Sequence, residues 1–86
     1  MGLENRRALR RKVVQPALMV RGDGSVIGTC TMLDVSAGGA RLKHDAPIDL
    51  PNEFILHLSM FHKTTSRRCA VAWRSEAQTG IRFLSD

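Results

Sequence analysis

The stretch ENRRALRRKVV, residues 4–14, holds Arg6, Arg7, Arg10, Arg11 and Lys12 beside a single acid, Glu4. Two overlapping Arg-x-x-x-Arg pairs result, Arg6 with Arg10 and Arg7 with Arg11. A guanidinium is a planar fork. It binds phosphate, or the O6/N7 edge of guanine, through two parallel hydrogen bonds, and its face stacks on rings. A lysine pair would keep the charge and lose both fork and stacking. Two such groups on a short arm suit a doubly charged ligand that contains guanine. The plainer alternative is a solvated tail, or a nonspecific contact to nucleic acid or acidic lipid.

A second stretch, DVSAGGARL at residues 34–42, offers complementary groups. Asp34 and Ser36 are two apart, so they share a face if the strand continues that far. A carboxylate accepts hydrogen bonds and a hydroxyl both donates and accepts, as the N1–H and amine edge of a purine requires. Gly38 and Gly39 follow, and glycine lets a ligand or another backbone approach closely. The competing reading is a tight turn in which Asp34 and Ser36 cap backbone amides.

The charge is local. The chain carries a formal +5, yet the first twelve residues hold five cations and one acid, whereas residues 13–86 hold eight cations and seven acids. Residues 1–12 therefore read as a flexible basic arm and residues 13–86 as one small domain. At 86 residues and 43% hydrophobic content, the chain can bury one modest core. The elements that must position the two motifs are strands. Phe54, Leu56, Leu58 and Met60 alternate with Glu53, Ile55, His57 and Ser59. Cys69, Val71 and Trp73 alternate with Arg68, Ala70, Ala72 and Arg74, and Ile81 and Phe83 flank Arg82. Period two means half-buried strands. Turn chemistry at Gly22–Gly24, Ser36–Gly39, Ala46–Asn52 and Lys63–Thr65 separates them. The expected strands are 13–21, 25–34, 40–43, 53–60, 67–74 and 80–84. Pro16 lacks an N–H and marks an edge or bulge in the first. The second, SVIGTCTMLD, does not reveal its inward face. Six short strands at this spacing predict an all-β fold, a small antiparallel barrel or sandwich.

With both motifs and the strand pattern in view, the chain resembles the PilZ domain family. The family signature, Arg-x-x-x-Arg followed by Asp/Asn-x-Ser-x-x-Gly, reads here as Arg6–Arg10, 23 intervening residues, then Asp34, Ser36 and Gly39. VAWR at 71–74 and GIRFL at 80–84 are similar to the family's last strands. The resemblance implies a six-stranded antiparallel β-barrel. It implies binding of cyclic di-GMP, a bacterial second messenger with two guanines and two phosphates. Arg6 and Arg10 would then contact phosphate and guanine, with Arg7/Arg11 as the alternative register. Asp34 would accept guanine N–H donors, Ser36 would contribute its hydroxyl and Gly39 steric clearance. Arg7, Arg11 and Lys12 would add longer-range attraction. Many family members carry a C-terminal helix, which the end of this sequence at Asp86 leads us to expect is absent. The implied role is a small signalling receptor or adaptor read by a downstream protein. The alternative is a PilZ-like protein–protein interaction module that binds no nucleotide.

Other chemistries find little support. No Ser-His-Asp or Cys-His arrangement and no paired catalytic carboxylates emerge, so an enzyme is not expected. His44, His57 and His62 lack metal-ligand spacing and read as surface or turn residues, and neither metal nor cofactor is expected. Cys30 and Cys69 have no CxxC partner and read as reduced core residues, a cross-strand disulfide being the alternative. Trp73 reads as core, a stacking role being the alternative. Met19, Met32 and Met60 suit gap filling. Three Phe, one Trp and no Tyr leave a poor stacking surface for single-stranded nucleic acid, and no sequence-specific nucleic-acid binding is expected. No apolar run approaches the ~20 residues of a membrane helix, and no apolar segment follows the basic start as in a signal peptide. A cytoplasmic address is the expectation.

Overall fold

The computed structural model describes residues 11–45, 49–60 and 63–84, the side chains of 59, 60, 63 and 64 excepted. The strands are β1 (Arg11–Val20), β2 (Val26–Val35), β3 (Gly39–Lys43), β4 (Glu53–Met60), β5 (Lys63–Arg74) and β6 (Gln78–Phe83). All pairings are antiparallel, and the order β1-β2-β3-β6-β5-β4 closes into a barrel through β1 and β4. The expected strands are all present. β1 starts at Arg11, within the segment assigned to the arm, and β5 and β6 each begin earlier than their patterns suggested. Among the described residues there is no helix, and none that could cross a membrane.

The core is built by alternation. Met19, Leu42, Leu56 and Cys69 are fully buried, joined by Cys30, Met32, Phe54 and Ile81. Burying an aliphatic side chain of this size stabilises by ~1.5–3 kcal/mol. On β2 the inward row is Cys30 and Met32, which settles the face that the sequence left open. Both cysteines are buried free thiols. Burial pushes Cys30 up to about 11 and Cys69 up to about 12, the neighbouring Cys30 adding to the latter.

Two arginines of β5 tie neighbouring segments to it. Arg67 lies 4.2 Å over the Phe83 ring. Arg74 donates to the Leu50 carbonyl at 2.8 Å and to Asn52 Oδ1 at 2.9 Å, holding the loop whose Leu50 is buried in the core. The β1–β2 turn uses Gly24 at φ 94° and Asp23, whose carboxylate accepts from Ser25 N–H at 2.9 Å and Ser25 Oγ at 2.7 Å.

Two expectations are corrected. Trp73 is 45% exposed rather than core. The β5–β6 register slips between Val71 and Trp73, so Ala72 and Trp73 together oppose Gly80 and the indole emerges on the outer wall. His44 is buried rather than on the surface: its Nε2 lies 3.0 Å from Thr79 Oγ1 and its N–H donates to the Ala77 carbonyl at 2.9 Å. The period of Ala40 and Leu42 continues one step past β3 and carries His44 inward. His57 is half-buried on the outer wall with Ser66 Oγ 2.9 Å from its Nδ1, and His62 lies outside the described residues. Pro16 stands just beyond the stretch of β1 that pairs with β4, which begins at Ala17, and next to a register shift. A missing N–H is tolerated at such a local edge.

Candidate functional site

The end of the basic segment meets the second motif through backbone pairing. Arg11 is opposite Val35 and Lys12 is opposite Asp34. Asp34 is in turn opposite Arg41, Arg41 opposite Gly80, and Gly80 opposite Trp73. Lys12, Asp34, Arg41, Gly80 and Trp73 thus form one continuous row across β1, β2, β3, β6 and β5.

Register shifts put this row on the outer wall. On β2, Met32 faces inward opposite Leu42; the shift before Asp34 inserts Leu33, so Asp34 pairs with the outward Arg41. On β1, a shift lies between Lys12 and Gln15; Ala17 and Met19 face inward beyond it, and Val14 is 82% exposed. The third shift is the one that turns Trp73 outward. A bulge re-aims side chains in this way.

Asp34 is the charged centre. Its Oδ2 receives Arg41 Nη2 at 2.8 Å, with the Asp34 side chain 5% exposed and that of Arg41 41% exposed. The pairing is charge-assisted and holds the Arg41 fork against the wall. Arg41 Nε is buried and meets no acceptor among the described residues. Between these groups lies a cleft of about 320 Å³ lined by Asp34, Ala40, Arg41, Ala72, Trp73, Gly80 and Ile81. It offers a carboxylate, a guanidinium and an indole to one visitor. A larger groove of about 580 Å³ on the β1–β2–β4 wall is lined chiefly by Pro16, Leu18, Val20, Val26 and Leu58. Its apolar lining suits neither phosphate nor a base edge, and the motif residues are not part of it.

The remaining motif residues have structural duties. Ser36 N–H donates to the Gly39 carbonyl at 2.8 Å, and its hydroxyl lies 3.4 Å from the same oxygen. Phe83 N–H donates to the Gly38 carbonyl at 2.8 Å. A Cβ at Gly39 would collide with the Ile81 carbonyl oxygen and sit 3.1 Å from its carbon. The clearance that Gly39 supplies is therefore spent on the backbone of β6. Asp34 faces Arg41. Arg6, Arg7 and Arg10 lie outside the described residues, and Arg11 is exposed at the start of β1. The sequence reading missed Arg41 as a site residue and held Trp73 as one only in the alternative to core. The alternation of Arg41 between Ala40 and Leu42 is a visible signal for an outward arginine, whereas the bulge before Trp73 leaves none. Among the described residues no cluster of three His, Cys, Asp or Glu could hold a metal ion.

Comparison with known proteins bears on this arrangement. The family model described as PilZ domain matches residues 4–86. A solved structure, described as the crystal structure of the PilZ domain of CeSA from a cellulose-synthesizing bacterium, superposes with a TM-score of 0.77. It shares 20% identity, and the match covers 92% of this chain and 83% of that one. No curated protein matches. PilZ domains are binding and regulatory domains, in general receptors for cyclic di-GMP. With a match from residue 4 to residue 86 and the six-stranded barrel to go with it, the chain belongs to the PilZ domain family.

Proposed function

We propose that this chain is a receptor for cyclic di-GMP, and that the row Lys12–Asp34–Arg41–Gly80–Trp73 is the floor of its site. The observation that carries the reading is the pairing of Lys12 with Asp34, which sets the end of the arginine segment beside the Asp-x-Ser-x-x-Gly turn. Arg10 directly precedes the strand start at Arg11. Arg6 and Arg10, or Arg7 and Arg11 in the other register, supply forks for phosphate and a guanine edge. Arg41 engages Asp34 through Oδ2, and a carboxylate has capacity beyond one ion pair, so guanine N–H donors can share it. Trp73 gives a guanine face a stacking platform, worth ~1–3 kcal/mol per base. The cleft suits one base; the rest of the dinucleotide extends toward Lys12 and the arm. Ser36 contributes its hydroxyl by turning from the Gly39 carbonyl.

Ordering the arm costs conformational entropy, and the charge-assisted contacts must exceed that cost. The consequence is a reshaped surface where arm meets barrel, read by a downstream protein in a bacterial cytoplasm. Isothermal titration with cyclic di-GMP at near-physiological salt tests the reading, with GMP and single-stranded RNA as comparators. Saturable heat specific to the cyclic dinucleotide supports it. No heat at high micromolar ligand would leave the nucleotide-free interaction module, and equal RNA binding with a steep salt slope would indicate a bulk-charge contact.

A further inference from the structure

We infer that Gly80 is the seat of Trp73: a positioning residue whose missing side chain holds the indole over β6, beside Arg41. The inference rests on the cyclic di-GMP reading for its effect on binding, but the seat itself stands on geometry. Gly80 lies inside β6, paired on one side with Arg41 and on the other with Trp73. Glycine within a strand loses more conformational entropy than other residues and packs nothing, so its place there needs a cause. The cause is visible. A Cβ at Gly80 would overlap Nε1 and Cε2 of Trp73 and lie 2.7 Å from Cδ1. Three atoms of the pyrrole ring occupy the space of that missing carbon, so the ring covers the bare backbone of β6.

Gly39 provides the contrast. Its absent Cβ would strike the Ile81 backbone, which cannot yield without parting two strands. At Gly80 the obstacle is a side chain with 45% of Trp73 already in solvent, so the ring can swing off. A residue larger than glycine at position 80 therefore displaces the indole while the barrel persists. A ring held in place before the ligand arrives loses less freedom on binding than one that must be recruited.

Trp73 is the one tryptophan in the chain, so its emission reports the seat directly. Gly80→Ala should shift that emission to longer wavelength, raise acrylamide quenching and weaken cyclic di-GMP binding by about tenfold, the scale of a lost base stack. In a Trp73→Ala background the same change at position 80 should cost less than about twofold, because no ring remains to be displaced. Unchanged emission and quenching in Gly80→Ala, or an equal affinity loss in both backgrounds, would overturn the proposal. If Gly80→Ala fails to fold, the double variant Gly80→Ala/Trp73→Ala should fold, since the collision is gone; its failure would show that β6 needs the glycine for itself. If the wild-type chain binds no cyclic di-GMP, the functional reading falls, and the emission shift alone decides the seat.

Discussion

The β4–β5 ladder and the row from Lys12 to Trp73 are built by opposite rules. The ladder runs from Glu53↔Ala70 to Met60↔Lys63 without a register shift. Its alternation survives intact, with Phe54 and Leu56 inward and Ile55 and His57 on the outer wall. The row is crossed by shifts in three of its four strand pairings, β1–β2, β2–β3 and β5–β6. The shift on β5–β6 breaks the period of two and exposes Trp73, and the shift on β2–β3 sets Asp34 opposite Arg41. The regular ladder serves the core, and the three shifted pairings meet in the candidate site.

Substitutions can break that contrast in order of expected size. Gly39→Ala drives a Cβ into the Ile81 carbonyl and should cost about 3 kcal/mol or more, measured by urea unfolding. Leu56→Ala, in the regular ladder, should cost about 2–5 kcal/mol for the lost burial and cavity, while leaving the affinity of the folded fraction unchanged. Asp34→Ala should instead weaken cyclic di-GMP binding by about tenfold or more with the barrel still folded; collapse of the far-UV spectrum would mean that Asp34 serves the turn and not a ligand. Arg10→Ala should cost more affinity than Lys12→Ala, because the fork and its stacking face are lost as well as the charge. Equal small losses would reduce the arm to bulk charge.

The core can be sharpened by pH. Cys30 and Cys69 hold their protons up to about 11 and about 12 in the folded barrel, against an ordinary 9.0. Above pH 9 the folded state therefore binds more protons than the unfolded one, and stability falls as pH rises through that window. At neutral pH both thiols should resist iodoacetamide in the folded chain and react on unfolding, read by mass spectrometry. Rapid labelling of the native protein would place the cysteines outside the core.

The same contrast explains what could be seen in advance. The strands and the two motifs were legible because alternation and spacing are local properties; alternation left barrel and sandwich both open, and the barrel came with the family resemblance. The pairing of Lys12 with Asp34 was not, since register depends on partners distant in sequence. Trp73 was misplaced because Cys69 and Val71 set an inward rhythm that the bulge at Ala72 reverses. Arg41 was passed over because its importance comes from Asp34, one strand away. His44 was misplaced through neglect of a rhythm that Ala40 and Leu42 had already established. Gly39 was read as clearance for a ligand or another backbone, and its first obligation is to the Ile81 backbone.

The central claim is that the irregular wall, with the arginine segment brought to its edge, receives a cyclic dinucleotide. Titration of the wild-type chain with cyclic di-GMP, followed by Trp73 emission and by heat in parallel, tests it most directly. The account predicts one saturable transition seen by both, persisting near physiological salt and weakened about tenfold or more in Asp34→Ala. A flat emission and no heat at high micromolar ligand would contradict it.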